Sequence, residues 1–172
     1  MPSQANDDIV VRVVEAAARA VASVKYCWLA TPGGVGPINA RPMGRTPRAL
    51  EDDEWLLRFV TDDRSRKISE IRRGEKLTVI LQRDADDTYI SLFGGAAIRT
   101  GASADSQLWR ASYNAYFPGK GEREHAVFIE VRVDRMALWI RDVTPEPFGL
   151  RPTTLERDAA GVWRPELSVG IT

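Results

Sequence analysis

The sequence is poor in the residues from which most thiol and metal chemistry is built, with one cysteine, Cys27, and one histidine, His125. A lone cysteine forms no intrachain disulfide, and one histidine without a second cysteine leaves zinc and iron sites of the usual His/Cys kinds short of ligands. Surplus charge is missing too. Lys plus Arg and Asp plus Glu each total 24, so the net charge of +0 supplies no global field for nucleic acid or an anionic membrane, and anion binding must be local. No apolar run approaches the ~20 residues of a membrane span. Met1 to Asp8 is polar, without the apolar core of a signal peptide. The expectation is a soluble, cytoplasmic protein without internal repeats, metal, membrane or nucleic-acid partner.

What is present is enough apolar material for one core. With 172 residues, 19.2 kDa and 44% hydrophobic residues, the chain suits a single domain, 1–172. Ile9, Val10, Val13, Val14, Ala17, Val21 and Val24 recur at helical spacing after Asn6, Asp7 and Asp8, which can cap the helix, so residues 1–24 read as an N-terminal amphipathic helix. The run Tyr26 to Thr31, which contains Cys27 as a small buried hydrophobe, and the run Ile38 to Met43 read as a hairpin around a Pro-Gly turn. Trp55 to Thr61 is a further strand. Leu77 to Gln82 is near-continuously apolar and reads as a strand buried on both faces.

Thr88 to Phe93 continues through Gly94-Gly95, a bend or bulge, into Ala96 to Arg99. Ser106 to Phe117 reads as a helix. Ala126 to Val133 and Met136 to Ile140 read as two separate long strands. The tail 142–172 holds a candidate small hairpin, Thr153 to Arg157 with Val162 to Arg164. About six to seven antiparallel strands with inserted helices are too few helices for a doubly wound sheet and too many hairpins for a bundle. A mainly β fold, a small barrel over residues 25–141, is the expectation.

The chemistry concentrates at the end of one strand, in Val60-Thr61-Asp62-Asp63-Arg64-Ser65-Arg66-Lys67. A helix start carries about half a positive charge, so Arg64, Arg66 and Lys67 there oppose the dipole unless something anionic is near. Free N–H groups, the Ser65 hydroxyl and these cations make a phosphate cradle; alternatively Asp62 and Asp63 neutralise the turn and the basic side chains face water. On the returning hairpin strand, alternation sends Asn39, Arg41 and Met43 to one face and Ala40 and Pro42 to the other. Pro42 has no N–H, which suits an edge strand whose free backbone groups can meet a flat heterocycle. His125 reads as structural or solvent-facing. Gly119-Lys120 is no P-loop, because position 114 is Asn114, and Gly33-Gly34-Val35-Gly36 lacks the dinucleotide spacing.

An Arg-x-Met strand, a strand ending Val60-Thr61, a Ser65-Arg66-Lys67 helix start and a downstream Trp109 with Tyr116-Phe117-Pro118-Gly119 together resemble the FMN-binding split-barrel superfamily of the pyridoxamine 5′-phosphate oxidases. The likeness is strongest to its general stress protein 26-like branch and covers roughly Ala20 to Ile140. It implies a split barrel and a homodimer with FMN at the subunit interface. The flavin ring would lie on Asn39, Arg41, Pro42 and Met43, with Val60 and Thr61 lining the cofactor and Ser65, Arg66 and Lys67 on its phosphate. Tyr89, Trp109 and Trp139 become candidates for lining the site from either subunit, and a core role explains each equally well.

True pyridoxamine phosphate oxidases carry a basic substrate residue where this chain has about Thr46. Their C-terminal Arg-x-His pair has no match in Arg141-Asp142-Val143-Thr144. The expectation is therefore an FMN-dependent oxidoreductase of another small substrate, with NADH or NADPH as electron donor and no side chain standing out as acid or base. The alternatives are a non-catalytic flavin-binding stress or sensor protein, or a split barrel holding a deazaflavin or haem. A deazaflavin would draw on extra cations such as Arg45, Arg64 and Arg72, and haem on His125 as a single axial ligand.

Overall fold

A computed structural model describes residues 4–74 and 76–166. Helix α1 (Gln4–Ser23) buries Val13, Ala16, Ala17, Ala20 and Val21, the stripe that three- and four-residue spacing puts on one face. The helix begins at Gln4, so Asn6, Asp7 and Asp8 lie inside it and do not cap it; Asp7 still complements the dipole from the first turn.

The strands are β1 (Tyr26–Thr31), β2 (Asn39–Gly44), β3 (Leu56–Asp62), β4 (Lys76–Arg83), β5 (Thr88–Arg99), β6 (Ala126–Ile140), β7 (Thr153–Arg157) and β8 (Trp163–Pro165). All pair antiparallel, in the order β2-β1-β4-β5-β6-β7-β8, with β3 also on β6. The 15-residue β6 is the spine. Its first half pairs with β3, its second half with β7, and β5 runs along its other edge. A single bridge, Arg45 to Phe59, joins the end of β2 to β3 and turns β1, β2, β3, β6, β5 and β4 into a barrel that is open along most of that seam. The β7–β8 hairpin extends the sheet beyond it, as the tail's turn chemistry suggested.

Three strand and helix expectations are corrected. Ala126 to Ile140 is one strand, because Asp134 is an extra, unpaired residue of β6, a bulge where the pairing with β5 steps from Phe93–Arg135 to Gly94–Val133, and Asp134 and Arg135 do not form a turn. Gly94 is needed there: a Cβ on it would lie 2.2 Å from the Arg132 carbonyl oxygen. β4 is not buried on both faces. Leu77, Val79 and Leu81 point into the core while Thr78 and Ile80 are only partly covered on the outside. Ser106 to Phe117 is not an α-helix: a turn set by Asp105 gives way to a short 3₁₀ segment, Ala111–Ala115, whose Tyr113 meets Trp109 edge to face at 5.5 Å. Trp109, Leu108 and Phe117 form a small second core with Ala126 and Phe128 on the outer side of β6. The polar residues within 106–117 favour local side-chain bonds over a continuous helix.

The main core lies inside the barrel. Leu29, Phe59, Val79, Leu92, Ile129, Val131, Met136 and Leu138 are all fully buried there, roofed by α1 and by helix α2 (Arg66–Gly74) through Ile68 and Ile71. Cys27 belongs to it. Burial pushes its thiol up to about 11, against the opposing charge of Arg45. Among the described residues no helix is long and apolar enough to cross a membrane.

Candidate functional site

The β3–α2 turn and the β1–β2 hairpin converge on one side chain, Glu70, of which 1% is exposed. It lies one turn into α2 and accepts four hydrogen bonds. Asn39 Nδ2 (2.6 Å) and Arg66 Nε (2.9 Å) donate to Oε1; Thr31 Oγ1 (2.6 Å) and Arg41 Nη2 (3.0 Å) donate to Oε2. Burial pushes the carboxyl up, but these bonds and the Arg41 charge outweigh it and hold Glu70 below the ordinary range. Asn39 and Arg41 reach it because they share a face of β2 with Met43, opposite Ala40 and Pro42, as strand alternation requires. β2 is an edge strand, so Pro42 leaves no ladder bond broken.

Lys67 stands apart. Its Nζ donates to Thr61 Oγ1 at 2.8 Å, and among the described residues it faces no carboxylate within salt-bridge distance. Burial first, and then the Arg41 charge, lower its pKa against the weaker opposing charges of Asp62 and Glu70, so the ammonium is desolvated with only partial compensation. Beside it the Ser65 hydroxyl oxygen is buried and has no hydrogen-bond partner among the described residues. Of the first three N–H groups of α2, that of Ile68 donates to the Ser65 carbonyl at 3.0 Å, and those of Arg66 and Lys67 have no backbone acceptor among the described residues. Around this turn Arg41 and Arg66 share the Glu70 carboxylate and Asp62 is taken up by Arg64, which leaves the Lys67 charge in excess.

Arg64 and Arg45 are committed elsewhere. Arg64 forms a bidentate pair with Asp62, which is the neutralised-turn arrangement realised for that one cation. Arg45 donates to the Val21, Ala22 and Val24 carbonyls at the C-terminal end of α1. Thr46 is buried with its hydroxyl on the Arg58 carbonyl, so it presents nothing to a substrate. His125 Nδ1 lies 2.9 Å from Asp63 Oδ1.

The structure thus brings Asn39, Arg41, Thr61, Ser65, Arg66 and Lys67 together, with Met43 beside the core and Val60 on the outer side of β3 against the second core. It does not bring the aromatic candidates to them within one chain. Tyr89 and Trp139 are cross-strand partners at the far end of the sheet, where the Tyr89 hydroxyl donates to Asp84 at 3.2 Å and Trp139 Nε1 is buried without a partner among the described residues. Trp109 Nε1 donates to Asn114 in the second core. Glu70 was missed by sequence reasoning. Its signal was its position four residues after Arg66, which also describes an ordinary surface pair.

A six-stranded barrel closed by one bridge, with a cation-rich helix start against its edge hairpin, defines the split-barrel class. The chain belongs to the pyridoxamine 5′-phosphate oxidase-like family, whose model matches residues 13–146. No curated protein matches the sequence. Among solved structures, it is similar to a pyridoxamine 5′-phosphate oxidase-related, FMN-binding protein from Nostoc punctiforme, at 18% identity over 90% of this chain and 93% of that one with a TM-score of 0.64. A protein related to general stress protein 26 from Clostridium acetobutylicum gives 16% identity, 87% and 95% coverage and a TM-score of 0.64. General stress protein 26 from Bacillus anthracis gives 19%, 87% and 97%, and 0.60. At these identities the likeness is one of fold.

Proposed function

We propose that this protein binds FMN and acts as a flavin-dependent oxidoreductase on a small molecule other than pyridoxamine phosphate. The observation behind this reading is the half-buried Lys67 ammonium without a carboxylate partner, next to the orphaned Ser65 hydroxyl at the start of α2. A phosphomonoester dianion answers all of these at once. It compensates the desolvated cations, accepts from the hydroxyl and takes the free N–H groups. The family relationship and the fold of the FMN-binding Nostoc protein point the same way.

On this reading Ser65, Arg66 and Lys67 hold the phosphate, Val60 and Thr61 line the approach, and the edge backbone of Asn39, Arg41, Pro42 and Met43 orients the ring. The bound flavin supplies the hydride and electron transfer, with NADH or NADPH as donor. The chain's own part is orientation and exclusion of water, since hydride transfer asks for positioning more than for a protein acid or base.

A second copy of the chain completes the site. The outer face of β1, β2, β4, β5 and β6 carries Tyr26, Trp28, Pro42, Ile80, Phe93, Tyr89 and Trp139, with Trp28 opposite Pro42 and Ile80 and Tyr89 opposite Trp139, interleaved with Thr78, Gln82, Ser91 and Arg135; Trp28 is 47% exposed and Tyr26 59%. Such a run of aromatic and aliphatic surface is what an isologous dimer covers, and it is how Tyr89 and Trp139 could serve a cofactor held by the partner. Sedimentation of the FMN-titrated protein, followed in the visible flavin band, tests both parts. Flavin travelling with a species of twice the 19.2 kDa chain is expected. Free flavin refutes the cofactor assignment, and flavin on a monomer refutes the dimer.

A further inference from the structure

Building on the reading of this turn as a phosphate site, we propose that Glu70 is its positioning residue, a buried carboxylate that does not touch the ligand and instead aims Arg66 at it while locking Arg41 in place beside it. Arg66 has 76% of its side chain exposed, and among the described residues its only side-chain hydrogen bond runs from Nε to Glu70 Oε1. That contact uses Nε alone and leaves both Nη groups, which can grip a phosphate in a bidentate manner, without a partner among the described residues. Without Glu70 an exposed arginine samples many rotamers, and ordering it on binding opposes affinity.

Arg41 is fixed from two sides. Its Nη2 donates to Glu70 Oε2 and its Nη1 to Thr31 Oγ1 at 2.6 Å. A guanidinium has no acceptor, so the Thr31 hydroxyl must accept from Arg41 and send its own proton to Glu70, 2.6 Å away. Thr31 and Glu70 therefore act as one acceptor surface, and it needs the ionised carboxylate. The amide introduced by Glu70→Gln would turn an N–H₂ toward groups that are themselves donors.

A carboxylate beside an anion site could also act only as a counter-ion that the ligand has to overcome, and the two roles differ in sign. Removing a negative charge strengthens phosphate binding by Coulomb's law, whereas losing the alignment weakens it. The deciding experiment compares wild type and Glu70→Gln for FMN, for riboflavin, which lacks the phosphate, and for inorganic phosphate followed through the arginine side-chain NMR signals. FMN and phosphate should each weaken by about tenfold or more, and riboflavin by less than about twofold. FMN and phosphate binding that is unchanged or tighter in the folded variant overturns the proposal, as does an equal loss for FMN and riboflavin.

If wild type takes up no flavin, the functional reading fails by itself and the phosphate titration still decides the role of Glu70. Phosphate binding that is absent, or that survives the substitution, then overturns it. Should Glu70→Gln not fold, Thr31→Val removes the hydroxyl link at nearly constant shape. The same selective loss for FMN and phosphate is expected, and its absence overturns the proposal.

Discussion

Two charge networks, one around the buried Arg58 and the other around the buried Glu70, lie on opposite sides of β3, and they differ in charge balance. On one side Arg58 donates to Asp52 through Nη1 (2.7 Å) and Nη2 (3.1 Å) and to Glu130 through Nε (2.9 Å), and Arg99 links Glu130 to Asp105. Every cation there has a carboxylate, the Asp52 bond holds the Arg58 pKa up, and Asp52 itself is held low. On the other side Glu70 is as buried and as well bonded, yet Lys67 is left over. Burial of charge alone therefore does not mark a ligand site, since structural networks bury charge as well. The uncompensated remainder does.

The largest effect that could break this contrast is at Arg58. Its side chain is 5% exposed, and removing it by Arg58→Met strands Asp52 without its cation and leaves Glu130 with the longer contact to Arg99 alone. The expected loss is about 3–5 kcal/mol of stability in chemical denaturation. The FMN affinity of the remaining folded protein should stay within about twofold of wild type, because the sites are independent. A loss below about 1 kcal/mol, or a large loss of FMN affinity at full folding, would show that the two networks are not separate in role.

The sequence made the cation-rich side legible and the balanced side invisible. Arg66 and Lys67 at a helix start conflict with the dipole, and that conflict can be read from the order of residues alone. Alternation on β2 also placed Asn39 and Arg41 on one face, which is where they lie. The pairing of Arg58 with Glu130, 72 positions apart, needs the β3–β6 register, and no local pattern encodes it. Glu70 fell between these cases, because its spacing from Arg66 is visible while its burial depends on β1 and β2 closing over α2. The same limit applied to the barrel. Strands and the bulge opposite Gly94 are local signals, but that Ala126 to Ile140 is one spine serving β3, β5 and β7 depends on pairing. The 106–117 segment holds no α-helix because Asp105 starts a turn there, accepting from the Gln107 and Leu108 N–H groups.

The next effect in size sharpens the contrast from the other side. Lys67→Ala removes the left-over cation, so FMN should bind about ten- to hundredfold more weakly, the equivalent of one charge-assisted hydrogen bond at ~1.5–3 kcal/mol. Ligand-free stability should hold or rise, since a desolvated ammonium facing only the Thr61 hydroxyl is removed. A fall in the urea midpoint without FMN would mean that Lys67 is structural like Arg58.

The smallest effect concerns the one balanced pair inside the cation-rich turn. Arg64 and Asp62 are compensated but open to solvent, and the Arg64 hydrogen bonds, more than its charge, hold the Asp62 carboxyl down to about 2. Its folded value therefore lies below the ~3.9 of an unfolded aspartate. The stabilisation from this pair is present above about pH 4 and disappears as the pH falls through about 2. An NMR titration of the Asp62 carboxyl should give a midpoint of about 2 in wild type and move toward the ordinary aspartate value in Arg64→Ala. FMN affinity at neutral pH should stay within about twofold in that variant, because a cation already neutralised by Asp62 adds little to the field at the phosphate. If Arg64→Ala instead costs as much affinity as Lys67→Ala, then total positive charge governs binding at this turn and the uncompensated remainder does not.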